Sequence, residues 1–282
     1  MNSLRKKEMN TKFLPTQNGQ IAYEDTGSGP LVVCVPSLGD VRSEYRFLAP
    51  RLVEAGYRVL CMDVRGHGES STDWDDFSVA GVGSDLLALI RAQDAGPAVV
   101  VSDSMAGGAS VWAAAESPEW IAGLMLIDPV VRGESTWQNL LLYRALFARP
   151  WGPAAWVKYY TTLYPTHKPA DFDSYIAALR ANLKEPGRME ALQKMIAASK
   201  SASEARLPKV TAPARILMGS KDPDFKDPEA EARWLAESLH AEYLMIPNAG
   251  HYPHVEMPEV TAPLVLSFLA SLKETWGAQH VA

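Results

Sequence analysis

Apolar residues along this chain fall either into short unbroken runs or into longer stretches where they recur every three to four positions. Leu31–Val35, residues 57–64, residues 98–101 and Ile121–Ile127 belong to the first kind. They are rich in valine, leucine and isoleucine, as strands covered on both faces must be. Residues 215–218 and Glu242–Ile246 continue the series toward the carboxyl end. Helical spacing fills the intervals. Residues 44–55 show it through Tyr45, Phe47, Leu48, Leu52 and Val53, with Gly56 as the stop. Residues 79–93 show it through Leu86, Leu87, Leu89 and Ile90, and residues 109–116, 229–239 and 260–272 follow. Residues 12–26 predict a hairpin turning at Asn18-Gly19. Strand alternating with helix predicts βαβ units, and so an α/β fold with a mostly parallel central sheet flanked by helices.

The alternation breaks over residues 133–206. There Trp137, Tyr143, Phe147, Trp156, Tyr160 and Tyr175 sit in helical-looking segments interrupted by Pro150, Pro153, Pro165 and Pro186, with no strand pattern. This predicts a helical insertion lying over the sheet. Parallel sheets bind ligands beyond the carboxyl ends of their strands. Pro36-Ser37-Leu38, Arg65-Gly66-His67, Ser104 and Asp128 all follow strand runs and are expected to share that face.

Residues 98–108 read Ala-Val-Val-Val-Ser-Asp-Ser-Met-Ala-Gly-Gly, a strand turning sharply into a helix. Such a turn needs small side chains two residues either side of its apex, or the backbones collide. Ser104, flanked by Ser102 and Ala106, has that spacing; an apex at Asp103 would put Val101 and Met105 in the crowded positions. Ser102 and Ala106 stand where the G-x-S-x-G pattern carries glycines, and a serine in an ordinary strand–helix loop is the plainer alternative.

A serine hydroxyl is a weak nucleophile that needs a base, itself oriented by a third group. Of six histidines, His251 leaves a strand end in Pro247-Asn248-Ala249-Gly250-His251, whereas His254 lies further along and His67 suits a structural role in its glycine-rich loop. For the acid, Asp222 in Met218-Gly219-Ser220-Lys221-Asp222-Pro223-Asp224 is best placed, with Asp224 second and Asp128 a rival. An aspartate in such a loop is otherwise a turn or capping residue.

Composition narrows the function classes. The 282 residues are 47% hydrophobic and 21% charged, with a net charge of −6 and no basic block. That excludes a nucleic-acid face or a polybasic membrane patch. Cys34 and Cys61 fall inside apolar runs, as buried reduced thiols do, which suits the cytoplasm. Residues 1–12 lack the apolar core of a signal peptide, and no segment is long and apolar enough to span a membrane. A cytoplasmic protein acting on a small molecule is the expectation.

The chain order Ser104, Asp222, His251, together with Asp63-Val64-Arg65-Gly66-His67-Gly68-Glu69-Ser70 and Gly250-His251-Tyr252-Pro253-His254, resembles the α/β-hydrolase fold family. The resemblance runs over about residues 20–275, apart from the insertion. It implies Ser104 as nucleophile, His251 as general base and then acid, and Asp222 as the orienting acid. It also implies an oxyanion hole from the backbone N–H groups of Met105 and Leu38, although Pro36-Ser37-Leu38-Gly39 stands where relatives often carry His-Gly. Residues 1–132 and 207–282 would form the core domain and 133–206 a helical cap. In that cap Trp137, Tyr143 and Trp156 are candidates to line an apolar acyl pocket, while most of its aromatics form its own core.

The resemblance thus implies a serine hydrolase for a carboxylic ester or related acyl compound, working through an acyl-enzyme without cofactor or metal. Carbon–carbon bond hydrolysis, lactone opening and perhydrolase activity are alternatives on the same fold. A small-molecule receptor that turns over slowly is an alternative of another class.

Overall fold

A computed structural model describes residues 11–134, 136–273 and 276, and its eight strands form one sheet. A hairpin of β1 (Lys12–Thr16) and β2 (Gly19–Thr26) leads into β3 (Leu31–Val35), α1 (Ala49–Glu54), β4 (Arg58–Met62), α2 (Val79–Arg91), β5 (Ala98–Asp103), α3 (Met105–Glu116) and β6 (Ile121–Ile127). Five helices follow without a strand: α4 (Trp137–Leu146), α5 (Gly152–Thr162), α6 (Phe172–Leu183), α7 (Arg188–Ala197) and α8 (Ser201–Glu204). The chain then returns to the sheet as β7 (Ala214–Gly219), α9 (Pro228–Leu239), β8 (Glu242–Ile246), α10 (Pro253–Glu256) and α11 (Pro258–Ser271).

The strand order is β1-β2-β4-β3-β5-β6-β7-β8, antiparallel from β1 to β4 and parallel thereafter. Side chains of the buried strands alternate between two cores. Val32, Cys34, Val99 and Val101 pack with Tyr45, Leu52, Val265 and Phe268 on one face. Leu31, Val33, Ala98 and Val100 pack with Leu86, Ile90, Ala109 and Leu235 on the other. Both cysteines are free and buried. The period of two, with a wall of helices on each side, is what an all-apolar β-branched run demands.

Successive strands run outward from β3 in opposite directions, β4 to one side and β5 to the other, which makes this the switch point of the sheet. Val35 pairs with Ser102 there. The same count beyond that pair brings Ser37-Leu38 and Ser104 to one end of the sheet.

Two helices differ from the periodicity. The stretch 44–55 breaks into a 3₁₀ turn over Arg42–Arg46 and α1, because Pro50 has no N–H to donate and fits only the first turn of a helix. Helix α3 begins at Met105, directly after the elbow, and not at Ala109. Its glycines explain how: a Cβ on Gly107 would lie 2.7 Å from Pro129 and one on Gly108 2.9 Å from the Val130 carbonyl.

Helices α4 to α7 carry a third core of Phe147, Trp156, Tyr160, Leu163, Tyr164, Phe172, Tyr175 and Leu192, which takes in Tyr252 and Val255 from beyond β8. Trp156 Nε1 donates to the Gly39 carbonyl at 3.1 Å, Asn182 Nδ2 to Gly68 at 3.0 Å, and the His251 N–H to Leu163 at 3.0 Å. The helical segment is therefore seated on the loops that leave the strand ends. Among the described residues no helix is long and apolar enough to cross a membrane.

Leu126 is fully buried on β6 between two parallel neighbours. Replacing it with alanine should cost about 2–5 kcal/mol, measured as a lower urea midpoint with an unchanged slope.

Candidate active site

Ser104 sits between β5 and α3 with φ 55° and ψ −124°, a conformation that side chains rarely adopt. Backbone hydrogen bonds hold it there. Its N–H donates to Ile127 at 3.0 Å, and its carbonyl accepts from Gly107 and Val130 at 2.9 Å each. Its side chain leaves the helix axis free, and Met105, as the first residue of α3, keeps an N–H that the helix cannot pair. Leu38 lies inside the turn closed by Asp40 N–H on the Ser37 carbonyl at 3.2 Å, which leaves the Leu38 N–H unused by that turn. Among the described residues the Ser104 hydroxyl makes no hydrogen bond, and Ser104 is 7% exposed.

Asp222 and His251 come together from the loops after β7 and β8. His251 Nδ1 donates to Asp222 Oδ2 at 2.6 Å, with both residues buried. Gly219 makes this approach possible, since a Cβ there would stand 1.9 Å from the Gly250 carbonyl. Lys221 N–H on Ala249 at 2.9 Å and Ser220 N–H on Ile246 at 3.0 Å tie the loops. Asp222 Oδ1 accepts the Asp224 N–H at 2.9 Å. Burial opposes a charged imidazole here, but the charge of Asp222 and its hydrogen bond outweigh that, with Asp224 and Glu44 adding to them, and His251 is pushed up to about 9. Burial likewise opposes the Asp222 carboxylate, yet the charge and hydrogen bond of His251 hold it below its ordinary value.

Asp128, the rival acid, takes no direct hydrogen bond from His251. One ligand atom each of Asp128, Asp222 and His251 lies within 4.8 Å of the others. Asp128 Oδ1 accepts the Gly219 N–H at 2.8 Å. Burial and then the charge of Asp222 keep its carboxyl well above the usual range. Asp224, the second-ranked acid, faces the other ring nitrogen, with Oδ2 3.9 Å from His251 Nε2.

Several functional-looking groups escaped the sequence reading. Glu44 is buried and accepts the Ser37 N–H at 2.8 Å and His254 Nε2 at 3.1 Å, and burial pushes it up to about 8. Asp40 accepts from Tyr160 at 2.7 Å and from Tyr175, and burial raises it to about 7. Glu256 accepts the Gly250 N–H at 2.7 Å and is raised by burial to about 7. Glu44, Asp103 and His254 could bring three ligand atoms within 4.8 Å of one another, and neither Asp103 oxygen has a partner. Burial, then the charge of Glu44, holds Asp103 well above the usual range. The only sequence signal was the crowd of tyrosines in 133–206; nothing local pairs them with Asp40.

The three aromatic candidates part company. Trp156 is buried against Gly39, beside the Leu38 turn. Trp137 is 68% exposed, and with Tyr143 it lines a groove of about 670 Å³ between α4 and α7, which none of Ser104, Asp222 and His251 lines. His67 stays structural, its Nδ1 3.0 Å from the Arg65 carbonyl.

The buried acids set the sign of the stability change with pH. The folded protein keeps protons on Asp40, Glu44 and Glu256 that the unfolded chain loses near pH 4, so stability falls as pH rises toward 7–8. His251 works in the same direction, since its raised value gives stability that is lost as pH climbs from 6.5 through about 9. The melting temperature should drop by roughly 5 °C or more between pH 5.5 and 9, followed by calorimetry.

Residues 32–264 match the sequence pattern of the alpha/beta hydrolase family. A 3-oxoadipate enol-lactonase of Acinetobacter baylyi is 26% identical over 207 residues, covering 72% of this chain and 75% of that one. A hydrolase from Pseudomonas aeruginosa superposes with a TM-score of 0.79 at 26% identity, covering 92% of this chain and 98% of that one. A bromoperoxidase from Bacillus anthracis superposes with a TM-score of 0.80 over 93% of this chain and all of its own (100%), and at 19% identity it speaks for the fold alone. With more than half its length matched and the sheet order in agreement, the chain belongs to the alpha/beta hydrolase family.

Proposed function

We propose that this protein is a serine hydrolase for a carboxylic ester or related acyl substrate, with Ser104, His251 and Asp222 as its catalytic residues. The observation that carries the reading is Ser104 held at positive φ on the strand-to-helix turn, on the same end of the sheet as the buried 2.6 Å Asp222–His251 hydrogen bond. The separate loops have no structural reason to supply a strained serine and an oriented imidazole together.

In this mechanism neutral His251 accepts the Ser104 proton at Nε2 while Oγ attacks the acyl carbon. The N–H groups of Leu38 and Met105 receive the oxyanion, each worth on the order of 3 kcal/mol at the transition state. His251 then gives its proton to the leaving group, and a water repeats the sequence to free the acid. Asp222 remains ionised throughout and keeps the ring in one orientation. Residues 133–206 act as the cap of a core formed by 1–132 and 207–282, with Trp156 over the oxyanion turn. The relative named 3-oxoadipate enol-lactonase supports lactone opening as a second substrate type, since a lactone is an internal ester and passes through the same steps.

Pre-steady-state release of p-nitrophenol from acetyl, butyryl and octanoyl esters tests the reading. A burst followed by turnover is expected, and Ser104→Ala should lower turnover by roughly 10⁴-fold or more. Asp128→Asn should leave it nearly unchanged, because His251 bonds Asp222 and not Asp128, whose carboxylate accepts the Gly219 N–H. Turnover should rise with pH to a limb near 9, where His251 loses its proton. A burst without turnover would instead favour a slow receptor, and activity surviving Ser104→Ala would overturn the mechanism.

A further inference from the structure

Asp222 already orients His251 through Nδ1, so a second carboxylate at Nε2 has no orienting work left to do. Asp224 nevertheless stands there, Oδ2 3.9 Å from Nε2. Tyr159 of α5 fixes it from above, its hydroxyl 2.7 and 2.8 Å from the two carboxylate oxygens, while the Asp224 N–H is spent on Asp222. The side chain is 27% exposed, and among the described residues no lysine or arginine pairs with it. The Tyr159 ring tilts against Trp156 with centroids 5.2 Å apart.

A carboxylate without a lysine or arginine partner at this position is a burden on the reaction of the previous section, on which this inference rests. It stabilises the protonated imidazole and so withholds the base. It also lies where the leaving group must pass, because Nε2 is the atom that hands that group its proton. A carboxylate beside aromatic faces is the chemistry that recognises an ammonium group, by ion pairing on one side and cation–π attraction on the other. We propose that Asp224, held by Tyr159, forms a cation subsite for the leaving group. The preferred substrates are then acyl esters or thioesters of amino-alcohols or amino-thiols, and those whose leaving group carries a carboxylate are rejected.

Three acetyl thioesters of matched size test this: one with a trimethylammonioethyl thiol, its uncharged 3,3-dimethylbutyl counterpart, and one with a carboxyethyl thiol, with released thiol followed by a chromogenic disulfide. At low salt kcat/KM should fall from cation to neutral to anion, by roughly tenfold or more between the ends, and the spread should shrink as salt is added. Asp224→Asn should flatten the series. Equal values in the native protein, or an unchanged series in Asp224→Asn, would overturn the subsite. Calorimetric binding of the cationic and neutral thioesters to Ser104→Ala provides a reading independent of turnover and of whether Asp224→Asn folds. Tighter binding of the cation supports the subsite and equal binding overturns it. Native protein that turns over none of the three while Ser104→Ala keeps the preference would count against the serine mechanism and for the subsite.

Discussion

One buried hydrogen bond, from His251 to Asp222 at 2.6 Å, orders the carboxyl-terminal third of this molecule. It joins the loops that leave β7 and β8, and it forms because the bare backbones at Gly219 and Gly250 can touch. Removed from water, an ion-assisted bond of this kind is strong when made and expensive when broken. Each partner is kept charged by the other against its own burial. Loss of His251 would leave the Asp222 carboxylate buried without a cation, since among the described residues no lysine or arginine forms an ion pair with it.

That shortage of cations shapes everything around the bond. Asp40, Glu44, Asp103, Asp128 and Glu256 are all buried close to the strand ends, and burial drives each of them toward its neutral form. Asp40, Glu44, Asp128 and Glu256 act as hydrogen-bonding fixtures that anchor tyrosines, loops and His254. Asp222 bonds the imidazole directly from inside. Asp224 faces the ring from the exposed side, under Tyr159 of α5.

Much of this was legible along the chain. Runs such as Leu31–Val35 and Ile121–Ile127 had to be strands covered on both faces, and strand alternating with helix had to give a mostly parallel sheet. The elbow at Ser104 followed from side-chain size alone, since no other apex left small residues in the crowded positions. The structure corrects the helix over 44–55, where Pro50 outweighs the apolar spacing, and the start of α3, where the helix closes on the elbow itself. Trp137 and Tyr143 shared the aromatic character of Trp156, but only the last meets the Gly39 turn.

The sequence by itself determined the sheet, its flanking helices, the turn that raises Ser104 and the loops in which an acid and a base follow strand ends. Those features depend on periodicity and side-chain volume, which act between near neighbours. Tertiary structure alone decided that Asp222 rather than Asp128 bonds His251, that Asp224 faces the opposite ring nitrogen, that Glu44 reaches His254 and that Asp40 holds two tyrosines. Each of these joins residues far apart in the chain, and the charge state of each depends on how much water the assembled fold excludes. Neither separation in space nor loss of solvent is written in any one stretch of residues.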